Sequence, residues 1–110
     1  MPISRGDLAI VSASGDYGKP RPGVIVQSNA FPKSHASVVV CPTTSELVEA
    51  DFRITIQRGP ETGLRVRSRV MADKPVTIRR ERIGRRIGRL RAGDIARLNV
   101  ALAFVMGLSD

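Results

Sequence analysis

The chain has 110 residues, 42% hydrophobic and 25% charged, and its 18 Lys and Arg against 10 Asp and Glu leave a net charge of +8. That length suits a single domain, 1–110, and the apolar share excludes intrinsic disorder. Cys41 is the only cysteine and His35 the only histidine, which excludes both an intrachain disulfide and a zinc site of N and S ligands.

The cations are unevenly placed. Residues 1–52 carry four basic and five acidic side chains, whereas residues 53–97 carry fourteen basic and four acidic. Fifteen of the cations are Arg, whose planar fork of donors suits phosphate. A polyanionic partner is expected, nucleic acid before membrane. An Arg-rich soluble protein with no such partner is the plainer alternative. The start, Met1 to Asp7, lacks a basic stretch followed by an apolar one. The longest apolar run, Val100–Met106, is far short of the ~20 residues of a membrane span. A soluble, cytoplasmic protein is expected.

Short strands fill most of the chain. Asp7–Ala13 carries Leu8, Ile10 and Ala13 before a turn at Ser14-Gly15-Asp16. Pro22–Ser28 holds Val24, Ile25 and Val26. Ser37–Pro42 holds Val38, Val39 and Val40, a run suited to a strand covered on both faces. In Phe52–Gln57, Phe52, Ile54 and Ile56 alternate with polar residues, the period of a half-buried strand. Gly59-Pro60-Glu61-Thr62-Gly63 is turn chemistry. Leu64–Met71 alternates again, with Leu64, Val66, Ser68 and Val70 on one face and Arg65, Arg67, Arg69 and Met71 on the other. Val76–Ile78 and Ile83–Leu90 are two further strands.

From about Ala92 the pattern becomes helical. Ile95, Leu98, Leu102 and Val105 form one stripe, Asp94 lies in the first turn, and Gly107 is the stop. Most other positions of this helix are apolar too, and Phe104, like Phe52, is expected in the core. Cover on so many sides suggests a homodimer. Short strands followed by one helix are the pattern of a small, strongly curved β-barrel closed by a helix.

Several chemistries are set aside. Neither a Walker loop nor a dinucleotide fingerprint is present. His35, in Phe31-Pro32-Lys33-Ser34-His35, reads as a surface histidine. Glu46, Glu49 and Asp51 read as a solvated acidic loop, so no metal and no cofactor is expected. Three sets of residues remain. In Gly18-Lys19-Pro20-Arg21-Pro22, two prolines pin the backbone around Arg21, which suits a guanidinium that meets a phosphate in a fixed pose and equally a Pro-rich turn. The hydroxyls of Pro42-Thr43-Thr44-Ser45 suit donation to an oxyanion, or an ordinary polar turn. Asp73, in Met71-Ala72-Asp73-Lys74-Pro75, is either a base or a turn stabiliser. Tyr17 and Phe31 are the candidates for stacking on a base.

Taken in this order, the motifs resemble the MazF/PemK family of toxin endoribonucleases. The matching residues are Arg5-Gly6-Asp7-Leu8, Arg21-Pro22-Gly23-Val24-Ile25-Val26, Cys41-Pro42-Thr43-Thr44-Ser45, Phe52-Arg53-Ile54, Val70 to Thr77, Ile83 to Leu90, and the helix ending Met106-Gly107-Leu108. The likeness covers about residues 4–108. It implies an SH3-like small β-barrel of the CcdB/PemK type with a C-terminal helix, mainly β, working as a homodimer blocked by a cognate antitoxin. It implies sequence-specific cleavage of single-stranded RNA without a metal, through attack by the ribose 2′-hydroxyl. Products would be a 2′,3′-cyclic phosphate and a 5′-hydroxyl, and growth arrest would follow.

By position, Arg21 looks like the family's catalytic arginine and Thr43 its partner threonine, with Thr44 adjacent. Asp73 falls where some members carry a reactive carboxylate, but those members place an arginine two residues earlier, where this chain has Met71. Tyr17, Lys19, Thr44, Arg69 and Lys74 are the expected RNA contacts. Two alternatives stand beside this reading: a gyrase poison of the same fold, which cuts nothing, and a barrel that only binds RNA.

Overall fold

The computed structural model describes residues 2–12, 19–46 and 52–108. Seven strands form where β-branched and apolar residues alternate or run together: β1 (Asp7–Val11), β2 (Arg21–Ile25), β3 (Ser37–Thr44), β4 (Arg53–Ile56), β5 (Ser68–Met71), β6 (Val76–Arg79) and β7 (Ile83–Arg89). A 3-10 turn at Arg80–Arg82 joins β6 to β7, and α1 spans Ala92–Val105.

The antiparallel strands lie in the order β4-β5-β3-β2-β1-β7, with β6 added against β3. β3 is the pivot. One of its edges pairs with β2, Gly23 opposite Pro42 and Ile25 opposite Val40. The other edge is shared: Ser37–Val40 pair with β6, while Thr43 and Thr44 pair with β5. Alternation sends successive residues of these strands to opposite faces. Leu8, Val24, Cys41 and Val70 pack with Leu98, Ala101 and Leu102 of α1 in one core. Val11, Ile25, Val38, Val40 and Ile78 form a second, which Ile3 joins.

The expected barrel does not close. β4 and β7, at the two ends of the path, do not pair. β4 is only four residues long, and the chain soon enters Gly59-Pro60, where proline offers no N–H to extend a ladder. The Gly59–Leu64 turn fills the gap instead. Arg89 donates its backbone N–H to the Glu61 carbonyl at 2.8 Å. Gly63, at φ +73°, comes so near that a Cβ there would stand 2.0 Å from the Ile87 carbonyl oxygen.

That turn also shortens β5. The strand expected over Leu64–Met71 pairs only from Ser68. Leu64 is buried, but Val66, expected on the same strand face, is 54% exposed. The chain is held against β7 until Gly63 and reaches β3 only past residue 67.

In α1, Leu98, Ala101 and Leu102 are buried, whereas Phe104 is 60% exposed rather than in the core. It lies six residues past Leu98, which at 3.6 residues per turn carries it about 240° round the helix. The C-terminus closes as a Schellman turn. Leu108 N–H donates to Ala103 C=O at 2.8 Å and Gly107 N–H to Phe104 C=O at 3.2 Å, with Gly107 at φ +71°.

Candidate active-site cleft

The cleft is built from strand ends. β2 begins at Arg21, opposite Val11 of β1, and its exposed first residue leaves the sheet edge as the chain emerges from Pro20. β3 ends at Thr44, beside that start. The Thr43 side chain is buried, and its hydroxyl donates to the Pro22 carbonyl at 2.8 Å. Thr43 therefore fastens the residue after Arg21. Beyond it, Thr44 Oγ1 accepts the backbone N–H of Glu46 at 3.2 Å, which fixes the turn leaving β3.

These residues line a cleft of about 580 Å³ together with Ile10, Ser45, the Gly63–Val66 segment, Ser68, Arg85 and Ile87. That volume lies in the range of ligand sites, about 300–1,000 Å³. Three arginines from separate segments line the cleft: Arg21 from β2, Arg65 after Gly63, and Arg85 from β7. Glu46, two residues past the end of β3, lines the same cleft. Cations set around hydroxyls on strand ends can neutralise a phosphodiester and hold it in register.

Of the expected site residues, Arg21, Thr43 and Thr44 come together here. Asp73 does not line the cleft. Its carboxylate accepts from Nε and Nη2 of Arg53 on β4, at 3.3 Å each. Lys19 and Lys74 are exposed outside the lining residues, and Arg69 is buried in β5 between Thr44 and Thr55. Phe31 packs edge-on against His35, with ring centres 5.1 Å apart, away from the cleft. Tyr17, Glu49 and Asp51 lie outside the described residues.

Sequence reasoning did not single out Arg65 or Arg85, and it read Glu46 as part of a solvated acidic loop. Their signal is faint: Arg65 follows the turn glycine Gly63, and Arg85 sits inside the tandem Arg82-Ile83-Gly84-Arg85 and Arg86-Ile87-Gly88-Arg89. Its neighbours Arg86 and Arg89 are taken by the buried Asp7 carboxylate, at 3.2 and 3.1 Å. Cys41, two residues before Thr43, offers no nucleophile. Burial pushes its thiol up to about 12, against the opposing pull of Arg5 and with a smaller push from Asp73.

A groove of about 370 Å³ runs between the end of α1 and β2–β3, lined by Val26, Leu102, Met106 and Leu108 among others. Beside it Val100 and Phe104 are also exposed. No helix among the described residues is long and apolar enough to cross a membrane.

Residues 4–106 match the family of PemK-like, MazF-like toxins of type II toxin–antitoxin systems. A probable endoribonuclease MazF of Mycolicibacterium smegmatis is 41% identical over 109 residues, covering 97% of this chain and 99% of the relative. Among solved structures, an endoribonuclease in complex with its cognate antitoxin from a mycobacterial species superposes with a TM-score of 0.83 at 25% identity, covering 97% of each chain. MazF from Deinococcus radiodurans shares the fold, with a TM-score of 0.80 at 20% identity over 97% of this chain and 98% of that one. The chain therefore belongs to the PemK-like, MazF-like toxins of type II toxin–antitoxin systems, a family of endoribonucleases.

Proposed function

We propose that the cleft cuts single-stranded RNA at short sequence motifs, with the ribose 2′-hydroxyl as nucleophile and no metal ion. The observation that carries this reading is the meeting of Arg21, Arg65 and Arg85 with the Thr43–Ser45 hydroxyls in one groove. In RNA the attacking oxygen already sits beside the scissile phosphate, so the protein must position, relieve charge and move protons. Arg21 neutralises the non-bridging oxygens. Thr43 holds Pro22 and so sets the pose of Arg21. Arg65 and Arg85 grip neighbouring phosphates. Asp73, clasped by Arg53, supports the β4–β5 pair beside β3 rather than the reacting atoms.

Two partners complete the reading. A second copy of the chain covers the apolar face of α1, where Val100, Phe104 and Leu108 stand exposed. A cognate antitoxin, like the one bound to the mycobacterial relative, blocks the toxin in the cytoplasm, and its loss frees RNA cleavage that arrests growth. No observation favours a gyrase poison, and the likeness to a probable endoribonuclease weighs against it.

The test is cleavage of a long RNA in EDTA with both new ends mapped. Discrete cuts bearing 2′,3′-cyclic phosphate and 5′-hydroxyl ends are expected, and the all-deoxyribose strand stays whole. Cleavage that stops on chelation, or ends bearing a 5′-phosphate, would sink the mechanism.

A further inference from the structure

We propose that Glu46 is the general base that takes the proton from the attacking 2′-hydroxyl. The inference rests on the cleavage reading above and adds the group which that reaction lacks. Neither a guanidinium nor a threonine hydroxyl accepts a proton readily near neutral pH, whereas an ionised carboxylate does.

Among the described residues, most carboxylates are engaged elsewhere. Asp7 is held by Arg86 and Arg89, Asp73 by Arg53, Glu61 by Arg91 and Asp94 by Arg97. Glu46 is the one described carboxylate that lines the cleft, in company with Arg21 and Thr43. Its backbone is pinned by the Thr44 hydroxyl at 3.2 Å, three positions after the residue that fastens Pro22. Glu46 thus follows β3 by two residues, while Arg21 opens β2, the strand that pairs with β3. The side chain is exposed, so it reaches substrate without burying a lone charge beforehand.

In the step, the O2′ proton passes to the Glu46 carboxylate while the O2′–P bond forms and the P–O5′ bond breaks. The leaving O5′ takes a proton from water, and the hydroxide so formed recovers the proton from Glu46. No other reactant is needed.

The test is the pH dependence of kcat/KM on a short RNA with one mapped cut. Wild type should rise at low pH with a logarithmic slope of about 1. Glu46→Gln should lose about 10²–10⁴-fold in kcat and lose that limb, and Glu46→Asp should keep it. Binding of the 2′-deoxy analogue should stay within about threefold of wild type in both. Formate should restore cleavage to Glu46→Ala, an effect that no structural role explains. A Glu46→Gln protein that binds the analogue and keeps the wild-type limb overturns the assignment. RNA left whole by the wild-type protein instead overturns the cleavage reading itself, before any variant is compared.

Discussion

Arg21 and Thr43 lie on paired strands and are joined through one carbonyl. The Thr43 proton is committed to Pro22 at 2.8 Å, so the threonine acts on the arginine by fixing its backbone. Arg21→Ala should keep the circular dichroism of the native protein and cut RNA at least ~100-fold more slowly, the scale of one lost transition-state donor. Near-normal cleavage by the folded variant would remove Arg21 from the chemistry. Thr43→Val should cost about 1 kcal/mol, the usual net worth of a hydrogen bond. Its cleavage should fall as well, and Thr43→Ser should recover both; equal Tm and kcat in all three proteins would deny the bond a role. Arg21 was legible because two prolines bracket it. The partner of Asp73 was not, because Arg53 lies 20 residues away and only the pairing of β4 with β5 brings it near.

Single elements carry the next set of effects. Cys41 sits in β3 with its side chain fully buried. Its thiol ionises near 9.0 when solvated and near 12 in the fold, so the native state binds the extra proton between those values. Stability should therefore fall as pH climbs through that window, by about 1.4 kcal/mol per unit. Urea melts of wild type and Cys41→Ala from pH 9 upward should diverge accordingly, and parallel curves would contradict the burial argument. β7 depends on Asp7, whose buried carboxylate binds Arg86, Arg89 and the Ser4 N–H. Asp7→Asn should cost about 2 kcal/mol, since hydrogen bonds to charged groups weigh more than neutral ones. An unchanged Tm would show that these contacts are surface decoration. The strands were legible as alternating runs, yet β5 was overestimated: alternation in Leu64–Met71 reports composition, whereas pairing needs a neighbour within reach, and the Gly63 turn withholds it.

At the scale of the whole molecule, charge and exposed apolar surface govern association. If Arg21, Arg65 and Arg85 each neutralise one phosphate, the log–log salt slope of single-strand binding should be about −2. A salt-insensitive affinity would discard the electrostatic reading of the cleft. Phe104→Glu places a charge on the exposed face of α1 and should shift sedimentation from dimer to monomer without unfolding the chain; a wild-type monomer, or a variant that stays dimeric, would move the second copy elsewhere. The barrel was the main misreading. Curvature follows from many short strands, but closure needs backbone donors to line up across the last gap, and that depends on where Gly59-Pro60 sends the chain.

Residue order alone carried the family resemblance, most of the strands, the helix stripe and the choice of Arg21, Thr43 and Thr44 as candidates, because motif order, periodicity and proline placement are all readable along the chain. Only the tertiary structure decided which of fifteen arginines line the cleft, that Asp73 pairs with Arg53, that Glu46 lines the same cleft as Arg21, and that the sheet stays open. Those outcomes depend on contacts between residues far apart in the chain, and a local pattern holds no record of where distant segments meet.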